Sequence, residues 1–320
     1  MLWRSTIALL LALAFQPDGV AQAFPAKPIV IVVPYAAGGA PDFIARILAE
    51  KLTAPLGQPV RVENRPGASG NVAAANVAQS APDGHTLLIG DNALLTISPF
   101  VYRNDSFNAM RDLVPVAALV ESSVLLLVSA DLPVTTLQEF VDYARRAHPP
   151  LAYGTTGVGS GFQLTFEQLK RQAGIDLLHV PYRSLTQAAA AAATGEIAVL
   201  LGGASAVPFL QSGKLRALAV ASPLRSRTHP GLPALNEYFP GVELSLWQGL
   251  FAPVGTPEAV LDRLEAEVDR ILAMPDTLQR LADANDLRPL SITRLQLGER
   301  IRQEGTRNSA SIKQLGLRVE

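Results

Sequence analysis

"PIVIVVPYAAGGAPDFIARILAEKL", residues Pro28–Leu52, decides how this chain is to be read. An apolar run, Ile29–Val33, gives way to small residues, Ala36–Ala40. A pattern follows with Phe43, Ile44, Ile47, Leu48 and Leu52 on one face of a helix. A continuous apolar run marks a strand buried on both faces of a sheet. Pro41 suits the first helical turn, where its missing N–H is not needed, and Asp42 suits the positive end of the helix. Strand, small-residue loop and helix N-terminus, in that order, is where α/β proteins hold anions, because N–H groups of the first turn have no partner within the helix. The loop has neither the G-x-G-x-x-G of a dinucleotide site nor the G-K-[ST] ending of a phosphate loop. Taken alone it is equally a tight turn in which Gly38 and Gly39 supply unusual dihedrals.

The same alternation continues outward. "QPVRVEN" reads as a strand, "RPGASG" as a loop, "NVAAANVAQ" as a helix, "APDG" as a turn and "HTLLIGD" as a third strand. This βαβαβ order predicts a parallel sheet covered by helices. A second set starts at strand "SVLLLVSA" and helix "TLQEFVDYARRA", whose Thr136 and Glu139 have capping-box spacing. Strand "LAYGTT", loop "GVGSG", helix "FQLTFEQLKRQAG", strand "DLLHVPYR", helix "SLTQAAAAAATG" and strands "EIAVLLGG" and "LRALAVAS" complete it. The alanines from Ala188 to Ala193 are strong helix formers that allow close packing. Strand "LWQGLFAP", helix "PEAVLDRLEAEVDRILA" and a long polar helix from about Thr293 close the chain. The expectation is two α/β lobes, one at 24–120 plus 222–320 and the other at 121–221. Strands near Val116–Val128 and Leu215–Ala221 would cross between them as a two-strand hinge. Ligands of such sheets bind beyond the carboxyl ends of the strands.

With 320 residues, 48% of them hydrophobic, the chain can bury a large core. A net charge of −1 without a Lys/Arg block argues against a nucleic-acid partner and offers no basic helix for a membrane surface. Residues 1–23 read as a cleavable signal peptide. Arg4 precedes an apolar stretch, Thr6–Phe15, too short to span a bilayer, and Ala21–Ala23 is a small-x-small cleavage site. The mature chain is expected to begin at Phe24 in the periplasm. The absence of cysteine excludes disulfides and the lipid anchor that needs a Cys after the cleavage site.

Further junctions repeat the opening motif: "RPGASGN" (Arg65–Asn71), "TTGVGSGF" (Thr155–Phe162), "VPYRSLT", and "GGASAV" at Gly202–Val207. Several helix N-termini facing one cleft would bind a carboxylate without a Lys or Arg counter-ion. Each macrodipole contributes about 0.3–1 kcal/mol, and each hydrogen bond to the charge about 1.5–3 kcal/mol. Catalytic patterns are missing. The serine of "GVGSG" is not central in a G-x-S-x-G elbow, and His85, His148, His179 and His229 are scattered without metal-ligand spacing. Asp42 reads as support for its helix start or a bound water before it reads as a general base. Arg65 and Arg183 read equally as partners of a ligand carboxylate and as structural residues. Core packing is the favoured reading of Trp247 over lining the cleft. The expectation is no cofactor, no metal and no enzymatic activity.

"FPAKPIVIVVPYAAGGAPDFIARILAEKL", "LGQPVRVENRPGASGNVAAANVAQSAPDGHTLLIG", "LAYGTTGVGSG", "LLHVPYRS", "GKLRALAVASPLRS" and "WQGLFAPVGTP" resemble the Bug family, the extracytoplasmic solute receptors of tripartite tricarboxylate transporters. The resemblance spans essentially the whole mature chain. It implies an α/β, two-lobed periplasmic-binding-protein fold of type II-like form, closing on one small ligand, usually a carboxylate held by backbone N–H groups and waters. It also implies delivery of the ligand to a two-subunit membrane permease and no chemistry on it, and the chain itself is expected to be a monomer. The candidate ligand-binding residues are Tyr35, Ala37, Gly38, Gly39, Asp42 and Asn92 in the first lobe. In the second they are Thr155, Gly159, Ser160, Gln163, Tyr182, Ser184 and Ser205. Ala36 and Ala37 replace the family's usual prolines, and Gln163 stands where a His is frequent. Tyr182-Arg183-Ser184 replaces Tyr-Lys-Gly, and "LLGGAS" replaces Asp-Asn-Leu-Pro-Ser. Two other outputs stay open on the residues alone: an exported α/β enzyme for a small carboxylate, and a ligand sensor for a membrane kinase.

Overall fold

The computed structural model describes residues 24–102, 107–158, 160–203, 206–222, 225–226, 229–244, 246–283 and 287–316. The expected signal segment, 1–23, lies outside them, as do two candidate ligand residues, Gly159 and Ser205.

The opening stretch folds as its pattern requires. β1 (Ile29–Val33) leads through the small-residue loop into α1 (Ala40–Leu56), which buries Ile44, Ile47, Leu48 and Leu52. β2 (Val60–Asn64), α2 (Asn71–Ala78) and β3 (Thr86–Asp91) follow, and β1 pairs in parallel with both β2 and β3. Short helices come next: α3 (Asn92–Thr96), 98–101 and 109–112, which are too short to show a period in the sequence. β4 (Leu113–Ser122) then joins the first sheet.

β5 (Leu125–Ser129) begins the second sheet only three residues after β4 ends, so the first crossing runs through Ser123 and Val124. The capping box of Thr136 and Glu139 opens α4 (Leu137–Arg146). β6 (Leu151–Thr155), α5 (Gly161–Ala173), β7 (Leu177–Pro181), α6 (Leu185–Ala193), β8 (Val199–Gly202) and β9 (Leu215–Val220) complete this sheet. Described residues beyond Ala221 still belong to the second lobe's core. Leu235, Val242 and Leu244 pack in one core with Phe140 and Phe166, and β10 (Leu246–Pro253) marks the return to the first sheet. Ala221 N–H donates to Val124 and Leu244 N–H to Ala221, both at 2.7 Å, so the crossing segments lie side by side.

α7 (Glu258–Leu272), a helix at 275–283, β11 (Leu287–Pro289) and α8 (Arg294–Leu315) finish the described chain. The sheet orders are β11-β4-β10-β3-β1-β2 and β7-β6-β8-β5-β9. The βαβαβ part is parallel. The strands next to the crossings are antiparallel: β10 against β3 and β4, and β5 against β8 and β9. Helices cover both faces of the first sheet, with Ile47, Leu52, Leu264 and Ile271 on one side and Val77, Trp247, Leu297 and Ile301 on the other. Trp247 is fully buried and donates Nε1–H to Glu304 at 3.0 Å, so it is a core residue.

α8 reaches across to the second lobe. Ile312 packs with Leu164, Gln168 Nε2 donates to Ser311 at 2.9 Å, and Arg307 pairs with Glu243. Among the described residues, no helix is long and apolar enough to cross a membrane.

Candidate functional site

The carboxyl ends of β1, β3 and β6 release the loops that meet in a cleft of about 220 Å³ between the lobes. The first lobe lines it with Tyr35, Ser69, Ala93, Ile97, Ser98, Val101 and Tyr102; the second with Thr156, Val158, Ser160, Gly161 and Phe162. A wider groove of about 450 Å³ lies elsewhere on the first lobe, around Leu272, Leu278 and Ile292. The helix end that it contains is already closed, because Thr293 and Gln296 cap α8 reciprocally. That groove therefore offers no open anion position, and the interlobe cleft does.

The loop before α1 is built by Asp42. This carboxylate is buried to 4% exposure. It accepts from Gly38 N–H at 3.0 Å, from Arg46 Nε and Nη2 at 2.9 and 3.0 Å, and from Asn64 Nδ2 at 3.0 Å. The Arg46 hydrogen bond foremost, with those from Gly38 and Asn64, holds its pKa down at about 2. Such a group is ionised at neutral pH and already surrounded by donors, which suits an organiser of the loop and not a proton acceptor. Gly38 takes φ +94°, a left-handed conformation that favours glycine. Its N–H is engaged by Asp42, so the open donors of this junction lie one step on, in the first turn of α1. Gly39 is the N-cap and has no side chain to accept from that turn. Ala36 through Gly39, which follow the wall residue Tyr35 in the chain, are exposed.

The second first-lobe junction repeats this openness. α2 starts at Gly70, again without a side-chain cap. Ala68 and Ser69 hold φ of +44° and +53°, unusual for residues with a side chain, and Ser69 Oγ meets Tyr102 OH at 2.8 Å. Gly70 is needed here because a Cβ would come within 3.0 Å of Pro34.

Tyr35 lines the cleft and donates its hydroxyl to Asp91 at 2.6 Å. Asp91 also accepts Leu94 N–H at 2.9 Å as the cap of α3. Burial pushes the Asp91 carboxyl up, partly offset by these bonds. Burial, and then the Asp91 charge, raise the Tyr35 phenol as well.

On the second lobe α5 and α6 carry side-chain caps, whereas the short helix 207–211 starts at Ala206 without one. Ser160 Oγ accepts Gln163 N–H at 3.3 Å and donates to the Gly157 carbonyl at 2.8 Å. Ser184 Oγ accepts Gln187 N–H at 3.2 Å and caps α6. Thr155 is fully buried beneath the loop, bonded to His179 at 2.6 Å and to both backbone groups of Gly157; Thr156 takes its place in the wall. Burial lowers the His179 pKa.

Tyr182 is not among the residues that line the cleft. Its ring lies 3.4 Å from the Cβ position of Gly154 and its hydroxyl donates to Glu196 at 2.9 Å, with burial first and Glu196 second pushing its pKa up to about 12. Asn92 is buried and borders a narrow gap with Gln168 and Asn308. Gln163 is buried in the first turn of α5. Arg65 pairs with Glu63 at 2.7 Å, whereas Arg183 is exposed at the start of α6.

Of the candidates within the described residues, the structure thus puts Tyr35 and Ser160 in the wall, while Ala37, Gly38 and Gly39 are exposed in the loop that follows Tyr35. Asp42 and Thr155 sit behind the two loops. Ser69, Ser98, Tyr102 and Phe162 are wall residues that sequence reasoning did not single out. "RPGASG" was the one available signal for Ser69. The residues around 98–102 carry no motif, because helices of one turn have no period to read.

The family model described as "Tripartite tricarboxylate transporter family receptor" matches residues 44–317. The UPF0065 protein in the tcbD–tcbE intergenic region of Pseudomonas sp. strain P51 is 35% identical over 263 residues, covering 81% of this chain and 78% of that protein. Among solved structures, Rpa4515 of R. palustris with adipate is 29% identical, with TM-score 0.79 over 92% of this chain and 99% of that one. MatC of Rhodopseudomonas palustris with bound malate is 32% identical, with TM-score 0.75 over 90% of this chain and all of that one.

Proposed function

The chain belongs to the tripartite tricarboxylate transporter receptor family, and from that premise we propose that it is an exported periplasmic receptor which captures a small organic carboxylate between its lobes and hands it to the integral membrane subunits of such a transporter. The observation that carries this is the pair of uncapped helix N-termini, at Gly39 and Gly70, beside a cleft walled by both lobes. Helix ends of this kind hold a carboxylate through backbone N–H groups and need no cationic side chain. The adipate and malate in the two solved relatives point to the same ligand class.

Residues 1–23 are removed on export, and the mature receptor acts as a monomer. The lobes divide at Ser123–Val124 and again just before Leu246, which assigns the stretch after Ala221 to the second lobe because its apolar side chains pack there. The first turn of α1, behind Ala37, Gly38 and Gly39, holds the carboxylate. Ser160 and its loop cover the ligand from the second lobe. The ligand shifts the open–closed equilibrium by its preference for the closed form. It leaves unchanged, in keeping with membership of a receptor family.

A thermal-shift screen of the purified protein against small carboxylic acids tests this reading. A ligand at about 1,000 times its dissociation constant adds about 4 kcal/mol of stability. Mass spectrometry of the recovered ligand should find it intact, and small-angle scattering should find a more compact protein. Failure of every acid to stabilise the protein would remove the carboxylate receptor reading, and multiple conversions per protein molecule would make it an enzyme.

A further inference from the structure

We propose, resting on the receptor reading above and narrowing it, that the ligand of the interlobe cleft is a carboxylate with a hydrocarbon body, an aromatic or alkyl monocarboxylate, in preference to hydroxylated di- and tricarboxylates. The polar groups of the wall are largely engaged by the protein itself. Tyr35 gives its one hydroxyl proton to Asp91, and Ser160 gives its own to the Gly157 carbonyl while accepting from Gln163. The hydroxyls of Ser69 and Tyr102 bond each other, so that pair keeps one proton between them. Ser98 Oγ accepts Asn71 Nδ2–H at 2.6 Å and keeps its proton. Except for the hydroxyl of Thr156 in the second-lobe wall, these remaining hydroxyl protons sit on the first lobe, the same lobe as the open helix ends at Gly39 and Gly70.

Apart from Thr156, the rest of the wall is apolar. Val158 and Phe162 come from the second lobe, Ile97 and Val101 from the first, and none of the described lining residues is Lys, Arg, Asp or Glu. One carboxylate therefore has a place, at the first-lobe end. A hydroxyl or a further carboxylate in the middle of the ligand would lie against Val101, Val158 and Phe162, with the Thr156 hydroxyl and no charged side chain of the described wall to bond it. Each such unpaired polar group weakens binding by roughly tenfold to hundredfold. A hydrocarbon body gains from the same contacts by leaving water.

The experiment is calorimetric titration of the purified protein with benzoate, hexanoate, malate and citrate under one buffer and salt concentration. Benzoate or hexanoate is expected to bind at least about tenfold tighter than malate and citrate. Tighter binding of malate or citrate overturns the hydrocarbon-body assignment and leaves the receptor reading standing. Binding by none of the four also overturns it, and the wider acid screen then judges the receptor reading separately. Val158→Arg sharpens the test, because Val158 is 58% exposed and the fold tolerates the change. A cation in the wall should shrink the preference over malate and citrate by about tenfold. An unchanged preference in the folded variant would show that the apolar wall does not select the ligand.

Discussion

The helices that open onto the cleft begin differently in the two lobes. In the first, α1 and α2 start at Gly39 and Gly70, which have no side chain to accept from the first turn. In the second, Ser160 and Ser184 close α5 and α6 with their own hydroxyls. Capping and anion binding use the same N–H groups, so a helix end serves one or the other more readily than both. On the proposed reading the contrast gives the lobes unequal parts: the first would hold the charge, and the second would cover the ligand. α3 shows the limit of the pattern, since this first-lobe helix is capped by Asp91, itself an acid.

The most severe way to break the contrast is to remove what holds the open end in place. Asp42→Ala leaves Gly38 N–H, Arg46 and Asn64 without their buried acceptor. The expected loss is about 3 kcal/mol of unfolding free energy, measured by chemical denaturation. A loss under about 1 kcal/mol would mean that the loop is held by something else.

Gly39→Asp tests the contrast directly by giving α1 the kind of cap the second lobe uses. Gly39 has φ −84° and ψ 172°, a conformation open to any residue, and its Cβ would be 3.6 Å from Pro41, an ordinary contact. The fold should gain a few tenths of a kcal/mol, while affinity for the best acid of the screen falls about 100-fold, or about 2.7 kcal/mol. Unchanged affinity would move the charge away from α1.

Acid titration separates two carboxylates of the first lobe. The pKa of Asp42, held at about 2 against an ordinary 3.8, is depressed, so its stabilisation is present above pH about 4 and is lost as pH falls toward 2. About 2 kcal/mol should disappear across that window, and Asp42→Asn should remove that part of the pH dependence. Asp91 acts in the opposite sense. Its raised pKa means that the folded state binds the proton more tightly, so its ionisation works against folding as pH rises above the ordinary carboxylate range.

The smallest effect belongs to the closed side. Ser160→Ala removes a helix cap and should cost about 1 kcal/mol of stability, with affinity changed by less than about threefold. An affinity loss as large as that of Gly39→Asp would make the lobes equal holders of the charge.

Local patterns explain what was legible beforehand. The run Ile29–Val33, the helical face of Phe43 to Leu52, the Thr136–Glu139 box and the Thr293 start of α8 all describe interactions within about one helical turn or along one strand. Family membership was legible for a related reason, since the matching blocks run in order along the mature chain. The candidate site was legible only in part. Tyr35 and Ser160 were recognisable from loops between strand and helix, whereas the Ser69–Tyr102 and Tyr35–Asp91 bonds join residues 33 and 56 positions apart.

By itself, then, the sequence determined the alternation of strand and helix, the two parallel βαβ cores, the receptor family and the loops where anions can sit. Tertiary structure decided which of those loops keep their donors open. It paired Tyr182 with Glu196, capped α5 with Ser160, and packed Leu235, Val242 and Leu244 into the second lobe's core. The physical reason is that hydrophobic period reports burial along a single element, while the use of a polar group depends on which distant group the sheet order brings within about 3 Å.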